Sequence, residues 1–415
     1  MKGKVVVINL GCKVNQCESD SIATAFAKLG YEVSQEMGVA DIYVINTCAV
    51  TAEAEKKSRQ CVARVRKYNP ASSVYVVGCA SQNNPEQFAN KDVRFVGGTA
   101  DKLAVCNMEE GVRIADLSEV FEPLLIGKGA RARGNVKIQD GCNNFCNYCL
   151  VPYVRGRSRS RGLSDIVAEC AIRSREMPEL VLTGINVSAY GQDIGLSLVD
   201  LVVALKDVPS RFRFGSLEVN VISDELLAAM KDAGNFCDHF HLSLQSGDDA
   251  TLKSMNRHYT SAEYAAKVSL IRSYFPLAAI TTDIIVGYPT ETDEQFDNTL
   301  RFAASMEFAN IHVFPYSRRK GTKAYALPPI DAGVMAERVN RMLALKEQTS
   351  REFNHSFIGY TLQAITESSD GMYMQGHTTN YIKVYIPMHS MCKPNSVYTV
   401  RCLEPYMDGL MAEIV

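Results

Sequence analysis

The chain has 415 residues, 47% of them hydrophobic, and a formal net charge of −2. This length predicts two or three domains. The small net charge excludes nucleic-acid binding through the overall charge, so such binding would require a local basic patch. The sequence contains no apolar run as long as a membrane span and no signal-peptide pattern at its N-terminus. An odd number of cysteines, thirteen, then predicts a reducing, cytoplasmic location in which thiols serve metal binding or chemistry.

The first 125 residues alternate between strand and helix patterns. Runs of β-branched residues predict buried parallel strands at residues 4–10, 40–46 and 73–77. Apolar residues at helical spacing predict helices at residues 18–29 and 52–68. This order predicts a small doubly wound α/β domain over residues 1–125, in which ligands bind beyond the carboxyl ends of the strands.

Three cysteines stand just after the three predicted strands of this domain: Cys12, Cys48 and Cys79. Because the carboxyl ends of parallel strands lie at one edge of a sheet, we expect these thiols to converge. The convergence predicts an iron–sulfur cluster with three thiolate ligands and one open iron. The alternative is that they are ordinary buried cysteines, since free cysteine is among the most buried residue types.

A second group of cysteines, Cys142, Cys146 and Cys149, has the spacing C-x3-C-x2-C. Three thiolates this close in sequence can surround one metal centre, and on a four-iron cluster they leave one iron without a protein ligand. Such an open position is typical of catalytic sites. The alternatives are a zinc knuckle or three core cysteines, but zinc prefers four ligands and no fourth Cys or His lies nearby in the sequence.

Basic residues strongly outnumber acidic ones between Lys128 and Arg161, where Asp140 is the only acid. Such a density of arginine suits phosphate contacts, so the stretch predicts an anion- or RNA-binding role. The alternative is a solvated surface, although such surfaces normally mix both charges. The basic residues are Lys128, Arg131, Arg133, Lys137, Arg155, Arg157, Arg159 and Arg161.

Residues 126–350 again alternate between strands and amphipathic helices. Strands are predicted at residues 136–139, 180–183, 211–217, 239–244, 280–286 and 311–315. Six βα units indicate a partial (β/α)6 barrel, with its functional residues at the carboxyl ends of the strands. Residues 351–415 show short strands punctuated by Gly, Asn and Pro, which predicts a small antiparallel β domain, either a barrel or a sandwich.

The cysteine motifs resemble those of a known family. GCKVNQCESD, VINTCAVT and VVGCASQ, together with QDGCNNFCNYCLVPYVRGRSRSR, are similar to the motifs of the radical S-adenosylmethionine (SAM) methylthiotransferases. GCKVN followed by Glu18 looks most like the subgroup that acts on threonylcarbamoyladenosine in tRNA. HTTNYIKVYI resembles the TRAM domain, a small RNA-binding β-fold. A barrel that only packs on its neighbour is the alternative for this tail.

The resemblance implies a methylthiotransferase that modifies C2 of N6-threonylcarbamoyladenosine, or its cyclic form, at position 37 of tRNA. It implies two [4Fe-4S] clusters and SAM as cofactors. One cluster would cleave SAM to a radical, since an unactivated aromatic C–H bond resists acids, bases and nucleophiles, and the other would carry the inserted sulfur. The expected partners are the tRNA anticodon stem-loop and an electron donor such as flavodoxin or ferredoxin.

The resemblance also implies roles for individual residues. Residues implied to contact SAM are Tyr148, Gly184, Asn186, Glu218, Gln245, Ser246, Ile285 and Gly287. Residues expected to contact RNA, from their charge, stacking capacity or position at a strand end, are Arg155, Arg157, Arg159, Arg161, Tyr316, Arg319, Tyr381 and Lys383.

Other functions remain open at this point. The nearest is methylthiolation of isopentenyladenosine in tRNA or of a ribosomal protein. A radical SAM enzyme without sulfur transfer, such as a methylase, would not need the first group of cysteines. An iron–sulfur protein that binds RNA or senses redox state without catalysis would show no cleavage of SAM.

Overall fold

The computed structural model describes residues 2–127, 132–388 and 392–415, so Lys128 and Arg131 lie outside the described residues. Its N-terminal part is a parallel sheet with strand order β2-β1-β3-β4-β5-β6. The elements are β1 (Lys4–Asn9), α1 (Lys13–Lys28), β2 (Glu32–Ser34), β3 (Ile42–Thr47), α2 (Ala52–Tyr68), β4 (Ser73–Gly78), α3 (Cys79–Asn83), β5 (Phe95–Gly97) and β6 (Gly111–Arg113).

Helices cover both faces of this sheet. Ile22 and Phe26 of α1 pack on one face, and Val62 and Val65 of α2 pack on the other. The doubly wound α/β fold predicted from the sequence is therefore confirmed. Helix α1 begins at Lys13, five residues before the predicted start, because Cys12 adopts an extended N-cap conformation with φ −81° and ψ −175°.

The central part is a partial barrel of parallel strands. Two three-stranded sheets, β7-β10-β11 and β12-β13-β14, are joined by single bridges between Phe212 and Phe236 and between Leu217 and Leu242. Its elements are β7 (Arg133–Lys137), β8 (Gln139–Asp140), α4 (Val151–Arg155), β9 (Arg159–Ser160), α5 (Leu163–Arg173), β10 (Glu179–Thr183), α6 (Leu198–Leu205), β11 (Arg211–Phe214), α7 (Asp224–Ala233), β12 (His239–His241), α8 (Asp249–Ser254), α9 (Ser261–Tyr274), β13 (Ala279–Val286), α10 (Asp293–Ser305), β14 (Asn310–Pro315) and α11 (Ala332–His355).

The C-terminal part is a closed β-barrel with strand order β15-β16-β17-β19-β18. The pairs are antiparallel except β17 with β19, which is parallel. Its strands are β15 (Thr361–Ser369), β16 (Tyr373–Thr378), β17 (Lys383–Pro387), β18 (Val397–Tyr406) and β19 (Gly409–Ile414). Across the described ranges, no helix is both long and apolar enough to cross a membrane.

Buried ion pairs attach this barrel to the central sheet. The Glu179 carboxylate, with no exposed surface, accepts hydrogen bonds from Arg211 at 2.6 Å and from Arg213 at 3.1 Å. The same arginines donate to backbone carbonyls of the C-terminal barrel, including that of His377 at 3.0 Å and that of Thr379 at 2.9 Å. These contacts join the C-terminal barrel to the central sheet at the amino ends of its strands.

Candidate active site between two cysteine triads

The first group of thiols, which we call the auxiliary triad, consists of Cys12, Cys48 and Cys79. They directly follow β1, β3 and β4, which are neighbours in the N-terminal sheet. The three side chains interact electrostatically with one another, since Cys12 and Cys79 each raise the pKa of Cys48. The tertiary structure thus brings together three thiols that are distant in sequence.

The chemistry of the auxiliary triad fits a metal cluster. Burial raises the pKa of Cys48 to about 11 and also raises the pKa of Cys12. The thiols of Cys12 and Cys48 hold their protons at neutral pH unless a bound cation replaces them. Within the described part of the chain, no three cysteine sulfurs lie within 4.8 Å of one another. A cluster, in which each thiolate binds a different iron, does not require closer sulfurs than these.

The second group, which we call the loop triad, consists of Cys142, Cys146 and Cys149 in the loop between β8 and α4. Each Sγ atom lies near an N–H donor: Asn186 Nδ2 at 3.8 Å from Cys142, Arg257 Nη1 at 3.4 Å from Cys146 and the backbone N of Val151 at 3.4 Å from Cys149. Such donors stabilise thiolate ligands. Burial raises the pKa of Cys149 to about 12, so this thiol becomes a thiolate ligand only when a bound cation replaces its proton.

Arg155 lies between the two triads. It is on α4, directly after the loop triad, and its Nε donates to the Sγ of Cys79 at 3.3 Å. Its Nη1 donates to Glu18 at 2.7 Å and to Asp140 at 3.2 Å, and only 1% of the residue is exposed. Lys102 and Lys137 also bind Glu18, and these three cations hold the pKa of Glu18 well below its usual range although burial opposes them.

This network corrects the prediction that the arginine-rich stretch is a cationic RNA-binding surface. Arg155, Arg159 and Arg161 are buried and pair with Asp140, Glu18 or Glu169, whereas Arg157 is exposed and stacks on Phe145. The sequence pattern missed this because Glu18 and Glu169, which neutralise the arginines, lie outside the stretch. Of the four, Arg157 alone keeps a side chain that a phosphate can reach.

An apolar cavity of about 230 Å³ opens between the triads, and we call it the cluster cavity. Cys79 of the auxiliary triad and Cys149 of the loop triad both line it. Its lining is mostly apolar and includes Leu150, Val154 and Phe314. A ligand in this cavity would contact both triads at once.

A larger cavity of about 570 Å³ occupies the interior of the central barrel, and we call it the lumen cavity. Asp283 lines both cavities. Its two carboxylate oxygens contact His241 Nε2 and His312 Nδ1, each at 3.2 Å. Burial opposes ionisation, but these two hydrogen bonds lower the pKa of Asp283 below its usual value. Two imidazoles and a carboxylate in this arrangement also form a donor set that can hold a divalent cation.

The residues proposed to contact SAM fall into two groups. Tyr148, Gln245 and Ile285 line the cluster cavity. The others lie around the loop triad or the barrel rim: Asn186 donates to Cys142, Glu218 pairs with Arg257, Gly184 lines the lumen cavity, Ser246 is buried against Thr299, and Gly287 bonds to Glu291 with φ +77°.

The remaining candidates for RNA contact are placed differently from one another. Tyr316 lines the cluster cavity, whereas Arg319 is buried in an ion pair with Glu55 of α2. Tyr381 lines the lumen cavity, stacks between His239 and His377, and has φ +66°. Lys383 lies on the C-terminal barrel and pairs with Asp408 at 3.0 Å. Arg319 is therefore not exposed for RNA contact in this structure.

Several residues of the site carried no signal in the sequence. Arg257 lies at 3.4 Å from Cys146 and at 3.1 Å from Glu218, yet it stands in an unremarkable helix-to-helix connection. Lys13 and His241 line the lumen cavity, and neither was singled out. The only hint of a role for Lys13 in the sequence was that it directly follows Cys12.

The family and structure matches found for this chain agree with this arrangement. Residues 136–303 match the Radical SAM superfamily, and residues 4–98 match Uncharacterized protein family UPF0004. A solved radical S-adenosylmethionine methyltransferase, TsrM from Kitasatospora setae, shares the fold with a TM-score of 0.56 over 78% of this chain and 77% of that chain, at 13% identity. The fold and the loop triad define a radical SAM protein.

Curated relatives show to which family of radical SAM proteins the chain belongs. Threonylcarbamoyladenosine tRNA methylthiotransferase MtaB of Bacillus subtilis is 34% identical over 98% of this chain and 96% of its own length. The protein of the same name from Chlamydia pneumoniae is 34% identical over 100% of this chain and 99% of its own length. A tRNA-2-methylthio-N(6)-dimethylallyladenosine synthase of Acetivibrio thermocellus is 34% identical over 88% of this chain and 81% of its own length. The chain belongs to the radical SAM methylthiotransferase family.

Proposed function

We propose that this protein inserts a methylthio group at C2 of the adenine of N6-threonylcarbamoyladenosine, or its cyclic form, at position 37 of tRNA. The observation that carries the proposal is the cluster cavity, which Cys79 and Cys149 line together. Sulfur insertion requires a sulfur-bearing centre and a radical-generating centre within reach of one carbon atom. Four relatives that are 34% or 35% identical over at least 92% of this chain carry the threonylcarbamoyladenosine name.

The cysteine triads would hold the cofactors. Cys142, Cys146 and Cys149 would bind the [4Fe-4S] cluster that receives SAM, and Cys12, Cys48 and Cys79 would bind the auxiliary [4Fe-4S] cluster. Bound clusters and SAM supply the one-electron chemistry that an unactivated C–H bond requires. For SAM we propose contacts from Tyr148, Gly184, Asn186, Glu218, Gln245, Ser246, Ile285 and Gly287.

The protein itself supplies orientation, charge and exclusion of water. Arg155 and Arg257 direct N–H groups at Cys79 and Cys146, which stabilises thiolates and fixes their orientation. Once substrate fills the cluster cavity, its mostly apolar walls would help to keep water from reactive species. Arg155 of the central part pairs with Glu18 of the N-terminal part and with Asp140 of its own part, and the first of these ion pairs links the two α/β parts that carry the triads.

We propose the anticodon stem-loop as the part of the tRNA that binds, with Arg157, Tyr316, Tyr381 and Lys383 as contacts. A flavodoxin or ferredoxin would donate electrons, and the reaction would take place in the cytoplasm. The proposed domains are the methylthiotransferase α/β domain at residues 1–125, the radical SAM barrel at residues 126–350 and a TRAM-like domain at residues 351–415.

The decisive experiment analyses tRNA nucleosides from a strain that lacks this gene. We expect the 2-methylthio form of threonylcarbamoyladenosine to disappear and to return when the gene is restored. Loss of the isopentenyl form instead would contradict the proposed substrate. Variants in either triad should fail to restore the product, whereas Cys106→Ala, outside both triads, should restore it fully.

Iron content tests the cofactors independently of activity. Anaerobically purified protein should contain about eight irons per chain, as two four-iron clusters require. Replacing the loop triad by alanine, or the auxiliary triad by alanine, should each remove about half of them. Unchanged iron content in either triple variant would show that the altered triad binds no cluster.

A further inference from the structure

Among the described lysines and arginines that line the lumen cavity, Lys13 is the one without an anionic partner. Lys13 is the first residue of α1, follows Cys12 directly and lines the cavity. Among the described residues, no carboxylate oxygen lies within 4.0 Å of its Nζ, and its side chain has no hydrogen bond to another group. An accessible ammonium group inside a cavity is available to bind an anion.

The other cations of the cavity already have partners. Arg213 donates to Glu179 at 3.1 Å and to a carbonyl of the C-terminal barrel at 2.9 Å. Arg133 pairs with Glu367 at 2.6 Å. Both guanidinium groups also lie over the ring of Tyr381, at 4.7 Å and 5.0 Å from its centroid. These contacts fix the arginines in the wall, so Lys13 is the cation that a ligand can engage.

Further polar groups line the same cavity as Lys13. His239 lines the cavity and is 8% exposed, and its Nδ1 has no hydrogen-bond partner among the described residues. The N-terminus of α1 also faces the cavity through Cys12, Lys13 and Val14, and a helix N-terminus favours negative charge. An unpaired ammonium, an unsatisfied imidazole nitrogen and a helix N-terminus together suit a carboxylate with further polar groups.

We propose that Lys13 binds the threonyl carboxylate of the substrate nucleoside and thereby selects threonylcarbamoyladenosine over isopentenyladenosine. This inference rests on the proposed function. The two substrates differ at the N6 substituent, which carries a carboxylate in one and is a hydrocarbon in the other. Because Asp283 lines both the lumen cavity and the cluster cavity, the N6 substituent of an adenine between the triads would pass this residue to reach Lys13.

The position of Lys13 would link selection of the substrate to the chemistry at the auxiliary triad. Lys13 directly follows Cys12 and both residues line the lumen cavity, so a carboxylate held by Lys13 would share this cavity with one residue of the auxiliary triad. The apolar isopentenyl group would leave Lys13 unpaired and would displace water from it without compensation, which disfavours binding. The same residue therefore attracts one substrate and disfavours the other.

The test uses anaerobically reconstituted protein and two anticodon stem-loop RNAs. One carries threonylcarbamoyladenosine at position 37, and the other carries its neutral analogue, in which a primary amide replaces the carboxylate. We expect the wild type to bind the acid about 10- to 100-fold more tightly, as hydrogen bonds between charged groups allow. Lys13→Met and Lys13→Gln should abolish this preference, and Lys13→Arg should retain most of it. Lys28→Met, at the exposed other end of α1, is the matched control and should retain it fully.

The outcomes separate this inference from the proposed function. Full preference for the acid in Lys13→Met or Lys13→Gln would overturn the role of Lys13, as would an equal affinity loss for both RNAs. Loss of iron in all three Lys13 variants would assign Lys13 to the cluster and overturn the inference as well. If the wild type modifies the acid RNA but shows no preference for it, this inference fails while the proposed function stands. If the wild type neither binds nor modifies the acid RNA, the proposed function fails.

Discussion

Arg155 donates a hydrogen bond from Nε to the Sγ of Cys79 across 3.3 Å, and this contact joins the two cysteine triads. Arg155 belongs to the short helix that follows the loop triad, and Cys79 belongs to the auxiliary triad. A cation that donates an N–H to one thiolate while its own helix supports the other triad couples the geometry and the electrostatics of both sites.

We expect Arg155→Met to lower the free energy of unfolding by about 3 to 5 kcal/mol, because it leaves the buried carboxylates of Glu18 and Asp140 with fewer partners. It should also lower the reduction potential of the auxiliary cluster, since a cation and an N–H donor are lost. Denaturant unfolding and an electrochemical titration measure these effects. Arg175→Met, at an exposed site, is the control, and an unchanged potential in Arg155→Met would contradict the coupling.

Arg257 plays the corresponding part at the loop triad, with Nη1 at 3.4 Å from Cys146 and at 3.1 Å from Glu218. Arg257→Met should weaken iron retention by the loop triad about 10- to 100-fold, as loss of a residue that orients a ligand typically does. The measurement is iron release to a chelator in protein whose auxiliary triad is replaced by alanine. Lys253→Met, exposed on the nearby helix α8, should release iron at the unaltered rate.

Gly141 permits the turn at the start of the loop that carries the loop triad. Its φ is +69°, and a Cβ at this position would lie 1.9 Å from the carbonyl oxygen of Arg157. Gly141→Ala should therefore displace Cys142, remove about half of the iron and destabilise the fold by about 2 to 4 kcal/mol, combining an unfavourable φ with an overlap. In Gly162→Ala the added Cβ meets only Asp165, at 3.5 Å, so that variant should keep all of its iron.

The ion pairs of Glu179 should make the free energy of unfolding depend on pH in a specific way. Burial favours its neutral form, but Arg213, Arg211 and Arg133 together lower its pKa to about 2. Because the pKa is lower in the folded state than in the unfolded state, the stabilisation is complete above about pH 4.5 and is lost as the pH falls towards 2. The shift corresponds to about 3 kcal/mol at neutral pH.

Glu179→Gln should therefore be less stable than the wild type by about 3 kcal/mol at pH 7, and the difference should shrink below pH 4. Urea unfolding at several pH values measures it, with Glu413→Gln on the surface of the C-terminal barrel as the control. A difference that does not change with pH would show that Glu179 contributes through shape rather than charge.

The sequence by itself determined the parts of this protein that depend on local patterns. The loop triad is visible because its three cysteines lie within eight residues, from Cys142 to Cys149. The parallel strands are visible because a strand buried on both faces reads as a continuous β-branched run. Convergence of the auxiliary triad also followed from sequence, since thiols after adjacent parallel strands must share one sheet edge.

Only the tertiary structure decided which charged side chains form ion pairs and which remain unpaired. Arg155 reads as a surface residue in a basic stretch, yet its partners Cys79 and Glu18 lie 76 and 137 residues away. Lys13 is left unpaired for the same reason, because the carboxylates in and around its cavity are held by other groups: Glu179 and Glu367 by arginines, and Asp283 by histidines. Pairing between charges depends on distances in space, and the order of residues along the chain does not contain those distances until the domains pack together.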